Sequence, residues 1–376
     1  MLIINSEYPP IGGGAGNASA NIARELANLG QEVTVLTVHY GDLPRYTSQD
    51  GVHVVRIKAL RRRLDRSSAL EQIIFMVASS ISTIASLRKW QPDVIIAFFG
   101  VPCGAAAWCA NIFSGVPYFV SLRGGDVPGF RPYDFALYHK LVAPLLRLIW
   151  RRSSGLVANS SGLKNLAQAF DSDAPITIIP NGVDLQRYSL SKRDWEPARL
   201  LFVGRLVYQK GIDILLAALE GLKSHPWELS LVGDGPEREA LQSLVQEYGI
   251  SDRVHFKCWL DGDDLMGQLQ EANLFVFPSR HEGMPNAVLE AMACGLPIIA
   301  SQIAGNEELV TDGENGLLFS PEDANALREA LVDLLENPFR REQMGAASRR
   351  NVEAKYSWSR VAKQYLALIE KGSSKL

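Results

Sequence analysis

A chain of 376 residues, 47% hydrophobic and 21% charged, is too long for one ordinary core, and two soluble globular domains are expected. Its net charge of −3 divides unevenly: residues 1–190 carry 18 Lys/Arg and 13 Asp/Glu, or +5, and the remainder carries 20 and 28, or −8. No nucleic-acid-binding motif accompanies the basic half, and the four scattered cysteines (Cys103, Cys109, Cys258, Cys294) form no CxxC pair, so a nucleic-acid partner, a disulfide framework and a structural zinc site are not expected.

Met1-Leu-Ile-Ile-Asn5 enters a strand at once and does not read as a leader. The first half then alternates strand and helix. Strands are expected at 2–5, 32–38, 52–57, 93–99, 118–122 and 155–159, and helices at 17–29, 68–90 and 141–150. The uncharged run Val94–Phe113 is long enough to span a bilayer, but Gly100, Pro102 and Gly104 divide it into strand, turn and helix. Ile73–Leu87 is shorter and holds four serines. The pattern restarts after a turn-rich join that begins at Pro180-Asn-Gly-Val-Asp184. Strands are expected at 199–203, 228–232, 254–257, 274–277, 297–300 and 316–319. The helices between them fall at 211–222, 236–248 and 265–272, near 285 and near 306, then at 321–335 and 339–371. Repeated β–α units imply parallel sheets covered by helices on both faces. The expected division is 1–190, 191–355 and a C-terminal helix, 356–376, that returns to the first domain.

Several loops follow strands, where ligands bind in open α/β sheets. Glu7-Tyr-Pro-Pro-Ile-Gly12-Gly13-Gly14-Ala-Gly16 follows the first strand, but Asn17 occupies the third position of a dinucleotide fingerprint, which disfavours a nicotinamide cofactor. Gly204-Arg205…Lys210-Gly211 offers a donor fork and a mobile point charge for a diphosphate. Gly233-Asp-Gly-Pro236 reads either as a close approach to ligand or as a turn. Asp261-Gly-Asp263-Asp264 has the letters of a metal site, but it precedes a helix that aspartates would cap. Arg123-Gly-Gly-Asp126 follows another strand, and Asp126 reads either as a substrate contact or as a turn residue. The basic run Lys58…Arg61-Arg62-Arg63…Arg66, with Lys140, Arg147, Arg151 and Arg152, reads as a solvated face or as a face for anionic lipid. The strongest stretch is Pro278-Ser-Arg-His-Glu282-Gly-Met-Pro-Asn…Glu290…Gly-Leu-Pro297, which sets two carboxylates about a helix start.

Together these pieces resemble a nucleotide-sugar glycosyltransferase of family 4, over nearly the whole chain. Glu282 and Glu290 match the family's E-x7-E, Gly204-Arg205…Lys210-Gly211 its phosphate loop and Pro9-Pro-x-Gly12-Gly13 its N-terminal glycine loop. Asn181-Gly-Val-Asp184 matches the stretch leading out of its first domain. The resemblance implies an α/β GT-B fold, two Rossmann-like doubly wound domains facing each other across a cleft. It assigns donor contacts to Gly12, Gly13, Arg205, Lys210, Gly233, Glu282, Gly283, Met284, Pro285, Asn286 and Glu290. Arg205 and Lys210 would hold the diphosphate, Glu290 the ribose and Glu282 the sugar. Glu282, Arg205, Lys210 and Asp126 would carry the chemistry. Arg123 stands where many members have histidine, and Arg123 and Asp126 are the acceptor-side candidates. No metal and no cofactor are expected beyond a UDP- or GDP-sugar donor, and retention of anomeric configuration is implied. The expected acceptor is a glycan or a polyprenyl- or lipid-linked glycan of a surface polysaccharide or lipopolysaccharide. The expected location is the cytoplasm, and the basic N-terminal half allows peripheral contact with the inner face of an anionic membrane. The rivals are a nucleotide-sugar epimerase of the same fold and a non-catalytic nucleotide-sugar-binding subunit.

Overall fold

A computed structural model describes residues 1–64, 67–130, 132–191, 194, 197–260 and 262–373. The chain forms two units, Met1–Gly182 with Trp358–Leu376, and Val183–Ser357. The first is built from β1 (Leu2–Ile4), α1 (Gly14–Asn28), β2 (Val33–Val38), β3 (Tyr46–Gln49), β4 (Val52–Ile57), α2 (Ala69–Trp90) and β5 (Ile95–Phe98). It continues through α3 (Ala105–Ser114), β6 (Tyr118–Ser121), α4 (Pro132–Arg152), β7 (Gly155–Ala158), α5 (Ser161–Phe170) and β8 (Ile176–Ile178). Its sheet order is β3-β4-β2-β1-β5-β6-β7-β8, parallel except for the antiparallel pair β3–β4. The central strands read as unbroken apolar runs because both faces are covered. Side chains of α2, α3, α4 and α5 join one core layer, and those of α1 join the other.

The second unit contains β9 (Ala198–Val203), α6 (Ile212–Glu220), β10 (Trp227–Val232), α7 (Arg238–Glu247), β11 (Val254–Lys257), α8 (Gly262–Glu271) and β12 (Leu274–Phe277). It ends with α9 (Asn286–Ala293), β13 (Ile298–Ser301), α10 (Ala304–Glu307), β14 (Gly316–Phe319), α11 (Ala324–Leu335) and α12 (Pro338–Lys355). Its sheet is all-parallel, in the order β11-β10-β9-β12-β13-β14. Val183 and Tyr188 belong to this unit's core, so it begins inside the turn-rich join, ahead of the expected start at 191. The last helix, α13 (Trp358–Ser373), lies in the first unit, where Trp358, Val361, Tyr365 and Ile369 are buried beside α1 residues such as Ala18, Ile22 and Leu26.

Several expected bounds shift. Helix α1 starts at Gly14, not Asn17, so Gly14 and Gly16 are helical; a Cβ on Gly16 would stand 3.0 Å from the Ile11 carbonyl oxygen. Helix α4 begins at Pro132, not near Leu141, and α8 at Gly262, not Leu265, so that Asp263 and Asp264 are helical. The helical stretch expected over 339–371 is two helices, separated at Tyr356-Ser357, near the expected start of the C-terminal helix at 356, and Val183 N–H donates to the Tyr356 carbonyl at 2.7 Å. Strands β3 and β8 and helix α5 were not expected.

Candidate active site

In the second unit the strand order reverses beside β9, with β10 on one side and β12 on the other. This is the switch point at which open α/β sheets bind ligands. Three loops leave the strand ends there, and glycines let them touch. Gly233 has φ of +137°, and a Cβ on it would stand 2.0 Å from the Gly204 carbonyl oxygen. Gly211 has φ of +64° and would meet the Pro278 carbonyl oxygen at 2.1 Å. Gly233 therefore lets the two loops approach each other closely.

Lys210 and Glu282 are brought together: Nζ lies 2.5 Å from Oε1, with side chains 16% and 10% exposed. The ammonium also sits 4.7 Å from the Phe277 ring centroid. Arg205 is half-buried on the same loop as Lys210. The structure adds a residue that the sequence did not single out, Arg280. Its guanidinium donates to both Asp213 oxygens at 3.0 and 2.8 Å and to the Tyr208 carbonyl at 2.6 Å, and stacks 3.9 Å from the Tyr208 ring. Arg280 N–H also donates to the Gln209 carbonyl, and Gln209 Nε2 to the His281 carbonyl. This clamp fixes the Lys210 loop against the Glu282 loop. The only sequence signal for it was an arginine inside the carboxylate motif.

Gly283, Met284 and Pro285 are buried, and Asn286 opens α9, whose N-cap Pro285 offers no capping side chain. The positive end of the α9 dipole thus faces the loop that carries Glu282. Gly305 of α10 abuts the Glu282 backbone, its Cβ position 2.5 Å from the carbonyl oxygen. Glu290 lies further along α9, half-buried beside Tyr188. Burial pushes its carboxyl up to about 7, against the opposing pull of the Tyr188 hydroxyl and Arg187. Tyr188 is itself fixed, since Arg349 Nη1 donates to its carbonyl and to that of Ala293, both at 2.6 Å.

The first unit holds the remaining candidates. Asn5 orders the loop after β1: its Nδ2 donates to Ser19 Oγ at 2.8 Å, and its Oδ1 accepts from Glu7 N–H at 3.0 Å. Gly12 has φ of +90° against Glu7, and Gly13, the N-cap of α1, has open space where a Cβ would stand. The Asp126 carboxylate is buried and accepts from the backbone N–H groups of Gly100, Arg123 and Gly124 at 2.9, 2.9 and 3.1 Å. Burial raises its carboxyl above the usual range despite these bonds. Arg123 Nη1 donates to Asn181 Oδ1 at 2.8 Å, Nη2 reaches the Tyr365 hydroxyl, and the guanidinium stacks 4.4 Å from Phe98. Both residues are thus engaged in holding their loop to β5 and α13. A pocket of about 310 Å³ opens beside them, lined by Glu7 after β1, Val101 and Pro102 after β5, Asp126, and Tyr138 of α4.

Asp263 and Asp264 lie in the first turn of α8, while Asp261 and Arg66 fall outside the described residues. Among the described residues no group of three or more His, Cys, Asp or Glu could hold a metal ion.

Comparison with known proteins covers both units. Residues 12–187 match the model for "Glycosyltransferase Family 4", and residues 191–351 that for "Glycosyl transferases group 1". A glycogen synthase of Mycobacterium tuberculosis is 27% identical over 96% of this chain and 92% of its own length. Among solved structures, sucrose-phosphate synthase from Thermosynechococcus elongatus superposes with a TM-score of 0.89 over 100% of this chain and 99% of that one, at 23% identity. Anabaena HepE in complex with UDP-glucose superposes at 0.78, over 100% and 99%, at 18% identity. With two Rossmann-like parallel-sheet units matched in order by both halves of the family, the chain belongs to the family 4 glycosyltransferases of GT-B fold.

Proposed function

We propose that this glycosyltransferase moves a hexose-type sugar from a UDP- or GDP-sugar to a glycan or lipid-linked glycan acceptor, with retention and without a metal. The product belongs to a surface polysaccharide or lipopolysaccharide, made at the cytoplasmic face of a membrane. The observation that carries the reading is the Lys210–Glu282 pair at the switch point of the second unit, with Glu290 on the helix that follows. Glu290 accepts ribose hydroxyls, Glu282 accepts hydroxyls of the transferred sugar, and Lys210 and Arg205 hold the diphosphate. The backbone of Met284 and Asn286 and the positive end of α9 add to this cradle.

As the bond between the anomeric carbon and the phosphate oxygen breaks, negative charge grows on the leaving diphosphate, and Lys210 and Arg205 stabilise it. The acceptor oxygen bonds to the anomeric carbon on the same face, and its proton passes to the departing phosphate oxygen. Glu282 pairs with the Lys210 ammonium, and the donor diphosphate offers that ammonium a second anionic partner. Asp126, with its oxygens engaged by backbone N–H groups, acts as a positioning residue for the acceptor-side loop, and Arg123 ties that loop to α13. The pocket beside Asp126 takes the acceptor, Glu7 and Tyr138 meeting its hydroxyls. Gly13 leaves open space at the start of α1, so an anionic group can approach the backbone N–H groups there.

A thermal-shift panel of nucleoside diphosphates and their sugars tests the reading. The matching nucleotide at 100 times its dissociation constant stabilises by about 2.7 kcal/mol. A panel in which none of them raises the melting temperature contradicts it.

A further inference from the structure

Helix α2 has its polarity reversed. Its inward face carries Glu71, Ser79 and Thr83 beside Phe75, all buried. Its outward face carries Leu70, Ile73, Val77 and Ile81, 57%, 54%, 51% and 64% exposed. These four positions follow helical spacing and form one stripe. A helix on a solvated surface places its branched aliphatic residues the other way round.

The neighbouring helices of the same layer extend this surface. Ile112 and Phe113 are exposed on α3, and Leu137, Leu141 and Leu148 on α4. Helices α1 and α13, in the opposite layer, expose no large hydrophobic residue among the described residues. The apolar surface is also basic, while α13 exposes Arg360, Lys363 and Lys371 with Glu370 and no large hydrophobic residue. Every exposed charged side chain described on α2, α3 and α4 is basic: Arg88, Lys89, Lys140, Arg147, Arg151 and Arg152. Arg151 is shared with Asp171. The exposed Arg62 and Arg63 precede α2. The one acidic residue of α2, Glu71, is buried and engaged in the helix's own capping box with Ser68.

We propose that the outer face of the α2–α4 layer docks on an anionic lipid bilayer, with α2 lying in the interface. Apolar side chains enter the acyl boundary, and the arginines and lysines reach the phosphate headgroups, their stems running along the apolar surface. Helix α2 is long and apolar enough to cross a bilayer by composition, but Phe75 in the core and the buried Glu71, Ser79 and Thr83 hold it on the unit's surface. Ala69 and Gln72 of its first turns line the acceptor-side pocket. Docking thus brings that pocket to the membrane plane, where a lipid-linked acceptor presents its sugar. The surface rests on its own observations and stands apart from the donor reading.

The full chain is sedimented with phosphatidylcholine vesicles and with vesicles containing phosphatidylglycerol, at low and high salt. Binding is expected to the anionic vesicles and to weaken with salt. Ile73→Glu/Ile81→Glu is expected to lower the partition at least about tenfold. Ile73→Gln/Ile81→Gln, which adds no charge, is expected to lower it in the same direction. Unchanged circular dichroism and melting temperature show that both variants fold. Equal binding of wild type and variants, or no binding to anionic vesicles at low salt, overturns the proposal. So does a wild-type dimer in light scattering that the variants make monomeric while vesicle binding is absent, because the occupant is then a second copy. Since nucleotide binding is read in a separate melt, failure of the donor reading leaves this result interpretable.

Discussion

Replacing Lys210 with methionine keeps the stem beside Phe277 and removes the charge. The ammonium lies 2.5 Å from Glu282, and both side chains are less than a fifth exposed. Opposite charges about 4 Å apart at an effective dielectric near 20 interact by about 4 kcal/mol. Removing one preorganised group that meets developing negative charge costs about 2.7–4 kcal/mol, or about 10² to 10³ in rate. Lys210→Met is therefore expected to lower kcat/KM by about two to three orders of magnitude, read as initial rates of nucleoside-diphosphate release. It also leaves the Glu282 carboxylate without its cation, so stability falls toward the about 3–5 kcal/mol cost of breaking a buried pair. The double variant Lys210→Met/Glu282→Gln removes that uncompensated charge. It is expected to regain most of the lost melting temperature and none of the activity. A single variant within about threefold of wild type refutes the role of Lys210, as does a double variant that regains both properties.

Glu290 gives a pH signature. Its carboxyl is raised to about 7, and ribose hydroxyls donate to the ionised form, so donor affinity is expected to rise as pH rises through 7. The sign for stability is opposite, because a carboxylate raised above its unfolded value favours folding when protonated; stability grows as pH falls from 7 toward the ordinary carboxylate range. Glu290→Gln flattens both profiles, and a wild-type donor affinity that is constant from pH 6 to 8, measured by calorimetry, contradicts the assignment. Arg280→Ala removes the clamp and is expected to cost about 1–3 kcal/mol and to raise the donor KM, with Arg280→Lys restoring little because the two-pronged contact with Asp213 is lost. Gly233→Ala cannot keep both its φ and its contact with Gly204; a melting temperature equal to wild type would show that the loop packing is wrong. Asp126→Asn puts an amide donor against backbone N–H groups and is expected to lower the melting temperature of the free protein, whereas a change in rate alone would restore a direct chemical role.

Much of the fold was legible because central parallel strands such as Leu274–Phe277 are buried on both faces and read as apolar runs. Tyr46–Gln49 was not, since an antiparallel edge strand of Tyr-Thr-Ser-Gln, largely exposed, carries no such run. The start of α4 was missed because its first half mixes polar, aromatic and basic residues. In the site, Lys210 and Glu282 were each visible as a charge after a strand, but their pairing joins residues far apart in sequence. Arg280 was invisible for the same reason, its partners Tyr208 and Asp213 lying before α6 and in the first turn of α6. For Asp126 the glycine-rich setting was legible, but not the folding of its oxygens inward to the backbone of Gly100, Arg123 and Gly124, which depends on residues far apart in sequence. The reversed face of α2 could be read only once burial showed Ser79 and Thr83 inside and Ile73 and Ile81 outside.

Calorimetric titration of the intact chain with UDP- and GDP-sugars, repeated on Lys210→Met, Glu290→Gln and Arg123→Ala, tests the central claim most directly. One nucleotide sugar is expected to bind the wild type and Arg123→Ala alike and to bind Lys210→Met and Glu290→Gln at least about tenfold more weakly. Equal affinity across all four proteins, or no heat from any nucleotide sugar, would contradict the assignment of the donor to the second unit.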